Sequence, residues 1–238
     1  MKKAIVIGAT SGIGRALADI LVRNNYKVGI TGRRKELLDE IKSENTENYL
    51  ISDFDVSNIE IADQKINTLI HDLGGLDLAI YCSGTGDLNE DLKFNIELPA
   101  IEINVRGFTF VMGYFYNYFA KNNSGHLVNI SSIAGLRGSG PAPAYNASKA
   151  YQINYLEGLK QRNHKLNPNI TITDVRPGFV HTSMAKGAGL FWVAPVEKAA
   201  HQIYKAMMGR RSVIYITKRW WWIAMILRVL PTAIYKRL

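Results

Sequence analysis

The sequence predicts a doubly wound α/β domain built on a mostly parallel, seven-stranded sheet. Three observations support this prediction. Short runs rich in Ile and Val alternate with segments whose apolar residues recur at helical spacing. A glycine-rich turn joins the first of these runs to the first helical pattern, as is usual at the start of such sheets. The 238 residues, 47% of them hydrophobic, suffice for one domain with a sizeable core.

Seven short apolar runs predict the strands, and the patterns between them predict helices. The predicted strands cover residues 3–8, 28–31, 49–54, 76–81, 126–130, 170–175 and 212–217. The predicted helices cover residues 13–21, 37–41, 59–73, 108–119 and 195–208. The helix over 59–73 stops at Gly74-Gly75, a typical C-terminal signal. Regular alternation of strand and helix favours parallel pairing of the strands.

Charge divides the chain into a predicted domain over residues 1–217 and a basic, tryptophan-rich tail over 218–238. The net charge is +9, but nine of the 29 Lys and Arg residues follow Glu197, where no Asp or Glu occurs. The remaining 20 basic residues are matched by 20 acidic ones, so the body of the chain is neutral. This distribution does not favour nucleic acid as a partner. With Cys82 as the single cysteine and no signal-peptide pattern, we expect a cytoplasmic protein.

The turn after the first strand reads Gly8-Ala-Thr-Ser-Gly-Ile-Gly14 and opens the first helix. Glycines let the backbone approach a pyrophosphate, and the amides and dipole of the helix N-terminus attract its negative charge. The residues expected to bind a dinucleotide cofactor here are Gly8, Thr10, Ser11, Gly12, Ile13 and Gly14. An ordinary tight turn is the alternative interpretation of the same glycines.

Ser132, Tyr145 and Lys149 lie at spacings that predict an active site. Tyr145 and Lys149 are four positions apart, so on a helix they share one face. A nearby ammonium favours the ionised phenol, and a tyrosine needs such a shift to exchange protons efficiently near neutral pH. A loop with Gly and Pro over residues 138–143 can fold back and bring Ser132 beside the phenol. Ser131 is the alternative serine, and a plain surface pair is the alternative for the tyrosine and lysine.

Together, the glycine spacing Gly-x-x-x-Gly-x-Gly and a serine thirteen residues before Tyr-x-x-x-Lys resemble the short-chain dehydrogenase/reductase family. The resemblance extends to about Val213 and implies a Rossmann-type fold. It also implies that the chain interconverts a ketone and a secondary alcohol with a nicotinamide cofactor as hydride carrier. In that reaction Tyr145 exchanges the proton and Ser132 hydrogen-bonds the substrate oxygen. Lys149 lowers the pKa of the tyrosine and holds the nicotinamide ribose.

The resemblance implies roles for further residues. Asn104 matches the family's catalytic asparagine, whose backbone holds a water in a proton relay through the lysine. Asp55 and Val56 stand where relatives contact the adenine ring, and Gly84 is the residue kept from the family's Asn-Asn-Ala-Gly. The segment expected along the nicotinamide contributes Pro177, Gly178, Val180 and Thr182. Thr182 is expected to bond the carboxamide, and a mobile substrate lid is expected over about 183–209.

The end of the second strand predicts NADP(H) as the cofactor. It reads Gly32-Arg-Arg-Lys35, with no acid before Glu36. Relatives that prefer NAD have a carboxylate here, whereas the planar fork of an arginine suits the 2′-phosphate of NADP. By resemblance Arg33 is the expected partner, with Arg34 or Arg15 in support. A solvated basic helix start is the alternative.

We therefore predict an NADP(H)-dependent oxidoreductase. A catalytically silent, nucleotide-binding regulatory or scaffold protein of the same fold is the alternative. No metal is expected, Cys82 is interpreted as a packed small residue, and His181 as a solvated loop residue. Relatives use the helix over 108–119, which is rich in aromatic residues, and the Tyr-x-x-x-Lys helix to form dimers or tetramers. A homo-oligomer is expected on this basis.

The tail over 218–238 exceeds what the family resemblance requires. Its uncharged run over 220–227 is too short to span a bilayer, which takes about 20 residues. Tryptophans favour the headgroup boundary, and the flanking Lys and Arg favour anionic lipid. We predict peripheral attachment to the inner face of the membrane and an apolar or lipid-linked ketone substrate. The alternative is an arm that packs across a neighbouring subunit or roofs the active site.

Overall fold

A computed structural model describes residues 1–185 and 190–237. Its centre is a seven-stranded sheet in the order β3-β2-β1-β4-β5-β6-β7, and every neighbouring pair is parallel. The strands are β1 (Lys2–Ile7), β2 (Tyr26–Gly32), β3 (Tyr49–Asp53), β4 (Leu78–Tyr81), β5 (Gly125–Ile130), β6 (Ile170–Pro177) and β7 (Val213–Ile216). The strand order reverses between β1 and β4. Ligands of open α/β sheets bind in the crevice at the carboxyl ends of the strands beside such a reversal.

Helices cover both faces of this sheet. They are α1 (Gly12–Arg23), α2 (Lys35–Glu44), α3 (Ile59–Leu73), α4 (Phe94–Ile101), α5 (Phe108–Asn122), α6 (Pro143–Leu166), α7 (Val196–Met208), α8 (Trp220–Val229) and α9 (Thr232–Tyr235). A π-helical segment, Glu102–Gly107, joins α4 to α5, and a 3₁₀ turn, Ile133–Leu136, precedes α6. One core lies between the sheet and α1, α2 and α7, and a second lies between the sheet and α3, α5 and α6.

Strand β1 explains why the sheet is covered on both sides. Ala4 and Val6 pack into the first core, whereas Ile5 and Ile7 pack into the second. Successive side chains of a strand point to opposite faces, so a strand that is apolar at every position needs helices on both. The aromatic α5 fills much of the second core, and its Phe108, Phe115 and Phe119 are fully buried.

The predicted fold class is confirmed, and all seven predicted strands occur with ends shifted by a few residues. The sheet is parallel throughout, because β7 also pairs in parallel with β6. Helix α4 was not predicted, since Pro99 lies inside it and its apolar residues follow no clear helical face. The predicted lid over 183–209 includes α7, whose buried face packs on α1. Residues 186–189 of that lid, and residue 238 of the tail, lie outside the described residues.

A buried ion pair joins neighbouring strands behind the carboxyl edge of the sheet. Asp174 and Arg176 on β6 are almost fully buried, and Arg176 Nε donates to Asp174 Oδ2 at 2.6 Å. Ser131 Oγ donates to the other carboxylate oxygen at 2.6 Å. Arg176 also donates to the hydroxyl of Tyr215 on β7 at 3.2 Å. The carboxylate therefore links the end of β5 to β6, and the guanidinium extends the link to β7.

Removing one partner of this pair should strongly destabilise the fold. We expect Asp174→Ala to lower the free energy of unfolding by about 3–5 kcal/mol, because the guanidinium of Arg176 is then buried without a counter-charge. Urea unfolding monitored by circular dichroism measures the loss. The control is Lys65→Ala, which breaks the half-exposed pair with Asp53 and should cost less than about 1 kcal/mol. Equal losses in the two variants would contradict the structural role of the buried pair.

Candidate active site

Helix α6 begins two residues before Tyr145, so the tyrosine lies in its first turn and Lys149 lies one turn later. Pro143 opens the helix, where its fixed backbone angle and missing amide proton are tolerated. The Tyr145 ring packs on Gly86, where an added Cβ would lie 2.4 Å from the ring. Lys149 Nζ lies 5.9 Å from the centre of the same ring. The spacing seen in the sequence therefore places the phenol and the ammonium on one face of the helix.

The two consecutive serines at the end of β5 have different surroundings. Ser131 is buried, and its hydroxyl bonds Asp174 and the Val175 carbonyl. Ser132 is partly exposed, and its hydroxyl accepts a hydrogen bond from the Ala134 amide and stabilises the ionised form of Tyr145. The structure thus brings Ser132, and not the alternative Ser131, to the phenol.

Burial governs the protonation of this site. It raises the pKa of Tyr145, and the hydrogen bond with Ser132 opposes the rise only in part. The expected lowering of the Tyr145 pKa is therefore not observed, and the ammonium of Lys149 lies 5.9 Å from the centre of the ring. Burial also lowers the pKa of Lys149 to about 8, against the opposing effects of Asp174 and Cys82. Burial therefore disfavours the charged form of both groups.

Asn104 lies in the π-helical segment, and the side chain of Gln152 connects its main-chain carbonyl to Lys149. The amide of Phe108 donates to the Ile103 carbonyl, five residues back, so the Asn104 carbonyl is not its acceptor. The Asn104 side chain is held by the backbone of Thr85 and by Ser148 Oγ, at 2.7–2.9 Å. An added Cβ at Gly84 would lie 3.3 Å from the side-chain oxygen Oδ1 of Asn104 and 3.4 Å from Lys149 Nζ. Glycine at 84 therefore leaves room for both groups.

The glycine turn fits a pyrophosphate. Gly8 and Gly12 have left-handed backbone angles, φ 85° and φ 57°, which glycine adopts without a steric penalty. An added Cβ at Gly14 would lie 2.1 Å from the Gly8 carbonyl oxygen, so the turn can close onto α1 only with glycine. Ser11 is the N-cap of α1 and makes no side-chain capping bond, and Ile13 packs against the core behind it. The free amides of α1 are thus available to an anion.

Arginines border this turn on the β2 side. Arg34 donates to Thr10 Oγ1 at 2.5 Å and to Ser11 Oγ at 3.0 Å, which places its guanidinium over the glycine turn. Arg33 is largely exposed and lies 3.4 Å from Asp55. Arg15, the other candidate, is bound by the carboxylates of Asp19 and Glu44. Of the two supporting arginines, Arg34 is the one whose side chain contacts the glycine turn.

The segment after β6 crosses the same end of the sheet. The methyl group of Thr182 lies 3.2 Å from the position of an added Cβ at Gly12, so this segment faces the glycine turn. Pro177 pairs with Ile216 at the end of β6, and Val180 is buried beside Ala194. Val56 is also buried, against Gly107 at the end of the π-helical segment.

The tail packs against Gly178 of this segment. An added Cβ at Gly178 would lie 2.1 Å from the Trp220 ring, which is almost fully buried and contacts Phe179, Phe191 and Trp192 edge to face or tilted. Arg137, after the 3₁₀ turn, donates to the carbonyls of Leu227 and Leu230. The tail therefore docks on the loops of its own chain that follow β5 and β6.

Cys82 lies beside the glycine turn, where its Cβ is 3.1 Å from the position of an added Cβ at Gly14. Burial raises the pKa of the Cys82 thiol to about 12, which agrees with a packed rather than a nucleophilic cysteine. His181 is exposed. Sequence reasoning missed Gly86, Gln152 and Trp220, each of which contacts a predicted site residue. Gln152 is fully buried three residues after Lys149, and a polar residue at a buried helical position was the available signal.

Comparison with known proteins shows the family to which the chain belongs. Residues 2–190 match the short chain dehydrogenase family. An uncharacterized oxidoreductase from Staphylococcus aureus strain MW2 is 30% identical over 186 residues, which cover 77% of this chain and 80% of the relative. The structure of ElxO with NADP bound superposes with a TM-score of 0.78 at 26% identity, covering 91% of this chain and 97% of ElxO. A short-chain dehydrogenase/reductase from Burkholderia phymatum in complex with NAD gives a TM-score of 0.84 at 19% identity, covering 94% and 92%. The chain belongs to the short-chain dehydrogenase family of oxidoreductases.

Proposed function

We propose that this oxidoreductase reduces a ketone to a secondary alcohol with NADPH, or runs the reverse oxidation. The observation that supports the proposal is the convergence of Ser132, Tyr145 and Lys149 beside the glycine turn at the carboxyl edge of the sheet. A bound nicotinamide supplies or accepts the hydride. The glycine turn would hold the pyrophosphate of the cofactor and Arg34 its 2′-phosphate, and the nicotinamide would lie along Pro177, Gly178, Val180 and Thr182.

In the proposed reaction each side chain of the site has a distinct task. Ser132 donates a hydrogen bond to the substrate oxygen and orients it toward the phenol. Tyr145 gives its proton to that oxygen as negative charge develops. Lys149 supplies a fixed positive charge that stabilises the phenolate left behind. A phenol whose pKa is raised by burial stays protonated at neutral pH, and the positive charge of Lys149 offsets part of that burial cost as the phenolate forms.

We predict that Tyr145→Phe abolishes turnover of a ketone while the affinity for NADPH stays within a few-fold. The ring is kept and the proton is lost, so kcat should fall by about 10²–10⁴-fold, the usual contribution of general acid catalysis. The control is Tyr151→Phe on the same helix, whose hydroxyl bonds Thr109 and not the site. NADPH consumption and NADPH fluorescence measure the two quantities. Activity of Tyr145→Phe within tenfold of the unmodified protein would contradict the assignment.

A ketone panel also tests the silent alternative. Protein that binds NADPH but reduces no soluble or lipid-linked ketone would favour a regulatory or scaffold role.

We propose NADP(H) rather than NAD(H) because two arginines directly follow β2 and no carboxylate precedes Glu36. Arg34 is already held over the glycine turn by Thr10 and Ser11, and Arg33 lies beside Asp55, where relatives contact the adenine ring. A guanidinium offers a 2′-phosphate charge-assisted hydrogen bonds that the 2′-hydroxyl of NAD cannot match. Structural neighbours with NADP and with NAD both occur, so the choice rests on these two side chains.

The cofactor preference should depend on both arginines. We expect Arg33→Ala and Arg34→Ala each to lower kcat/KM for NADPH at least tenfold, since a hydrogen bond to a charged group contributes about 1.5–3 kcal/mol. The efficiency with NADH should change less than threefold, because NAD has no 2′-phosphate. Arg162→Ala, an exposed arginine on α6, is the control. Equal efficiency with both cofactors in the unmodified protein would defeat this assignment.

We propose further that the protein attaches to anionic membranes through α8 and acts on an apolar or lipid-linked ketone. No helix among the described residues is long and apolar enough to span a membrane. Helix α8 buries one face, with Trp220 and Ala224, on its own chain. The opposite arc is apolar as well, and its residues are Trp221, Trp222, Met225, Ile226 and Val229. Trp222 is 67% exposed and Val229 is 80% exposed.

The charges beside this arc favour lipid over a second copy of the chain. Lys218, Arg219 and Arg228 on or beside α8 are exposed, and the sequence contains no Asp or Glu after Glu197. A symmetric interface would set such a patch against itself, so its cations would meet cations. An anionic bilayer instead offers about 1 kcal/mol for each Lys or Arg near its surface. An aromatic and aliphatic arc bordered by cations suits the headgroup boundary.

Point substitutions on the outer arc test membrane attachment better than truncation, because removing Trp220 would disturb the segment at Gly178. We expect the full-length protein to sediment with phosphatidylglycerol vesicles at low salt, and Trp222→Ser with Val229→Ser to weaken binding at least tenfold. Ile61→Ser, an exposed apolar residue on α3, should bind as the unmodified protein does.

Two results would overturn membrane attachment. The first is that the unmodified protein ignores anionic vesicles at low salt. The second is that the Trp222 and Val229 substitutions split an oligomer in solution, which would make α8 an assembly arm.

A further inference from the structure

The amide side chain of Gln152 bridges two groups of the active site. Its Oε1 accepts a hydrogen bond from Lys149 Nζ at 3.1 Å, and its Nε2 donates to the Asn104 carbonyl oxygen at 3.0 Å. Gln152 is fully buried, and Asn129 Nδ2 lies 3.4 Å from the same Oε1. A buried amide with both ends bonded has little freedom to rotate, so these contacts fix its orientation.

The π-helical segment makes this bridge possible. In a regular α-helix the Asn104 carbonyl would accept from the Phe108 amide, but that amide donates to the Ile103 carbonyl. The Asn104 carbonyl then accepts from Gln152 on the neighbouring helix. The π-helical segment thus leaves the Asn104 carbonyl available to the buried glutamine.

Two of the three protons on Lys149 Nζ are committed to fixed acceptors. One goes to the Ile130 carbonyl at 3.2 Å and one to Gln152. The third is left for the side where Gly84 and the Tyr145 ring lie. A water in the place of Gln152 could pass a proton between the ammonium and the Asn104 carbonyl. A carboxamide makes the same two hydrogen bonds but neither gains nor loses a proton near neutral pH.

We propose that Gln152 is a positioning residue, which ties the Lys149 ammonium to the Asn104 carbonyl and aims it at Tyr145 and the cofactor ribose. This inference rests on the proposed reaction only for its kinetic consequences, since the hydrogen bonds belong to the free protein.

The pKa of Lys149 is the property that distinguishes positioning from simple support of the fold. The titratable groups that face the ammonium are Tyr145 on its own helix, Cys82 after β4 and Asp174 on β6. Gln152 adds a neutral acceptor, which favours the charged ammonium. Gln152→Met removes this acceptor and should lower the lysine pKa. Gln152→Glu places a carboxylate beside the ammonium and should raise it.

We expect the two substitutions to shift the titration of Lys149 in opposite directions by about one pH unit each, the equivalent of one hydrogen bond or ion pair. The titration is followed by NMR in protein with isotope-labelled lysine, with Lys149→Met used to assign the signal. The alkaline limb of kcat/KM for NADPH should move in the same directions, and kcat should fall at least tenfold in Gln152→Met. Gln161→Met, on the exposed side of α6, should leave both unchanged.

Shifts of the same sign, or no shift in either variant, would overturn the proposal. If Gln152→Met does not fold, the nearly isosteric Gln152→Glu alone tests the proposal, which requires that this variant raise the pKa of Lys149. The NMR titration needs no turnover, so it remains decisive if the chain reduces no ketone and the proposed function fails.

Discussion

The burial of a charged lysine is the constraint on which the site depends. An ammonium removed from water is costly unless each of its protons has an acceptor or a nearby negative charge. Lys149 meets this condition with the Ile130 carbonyl, Gln152 and the more distant Asp174. Asp174 is in turn held by Arg176 and Ser131. The lysine, the end of β5 and the edge of the sheet thus form one electrostatic unit.

The same unit explains why two serines follow one another at the end of β5. Consecutive residues of an extended chain point to opposite sides, so one serine faces the buried carboxylate and the next faces the phenol. Ser131 holds the end of β5 through its hydrogen bond to Asp174, and this bond also fixes the position of the next residue, Ser132. The family spacing favours Ser132 in the sequence, but it does not say what Ser131 does. The alternation of the strand and the position of Asp174 on the neighbouring β6 assign that second role.

The fold could be predicted because its local signals agree with its global arrangement. Buried parallel strands are apolar at every position. The turn over Gly8–Gly14 needs backbone angles and close approaches that favour glycine, so it can be recognised from the sequence. The spacing of Tyr145 and Lys149 on α6 was equally visible. Helix α4, with its internal Pro99, was not visible, because local preference opposes it and tertiary contacts decide it.

The contacts that could not be predicted join residues far apart in the chain. In the sequence, Gln152 cannot be distinguished from the other polar residues of a long helix, because its partner, the Asn104 carbonyl, lies in a distant π-helical segment. The sequence leaves open whether the tail binds lipid, packs on a neighbouring subunit or covers the active site, and the structure shows Trp220 against Gly178. Arg15 and Arg34 are equally plausible from sequence, yet two carboxylates engage the first and leave the second over the glycine turn.

The position of the tail gives the proposed membrane contact a direct physical connection to the site. Helix α8 rests on the loops that follow β5 and β6, and these loops bear Ser132 and the segment from Pro177 to Thr182. Its inner face is held by Trp220 and by the bonds from Arg137 to Leu227 and Leu230. Any surface that binds the outer arc therefore lies within one helix diameter, about 10 Å, of those loops. A membrane bound to the outer arc would hold an apolar substrate on the side of the protein that carries these loops.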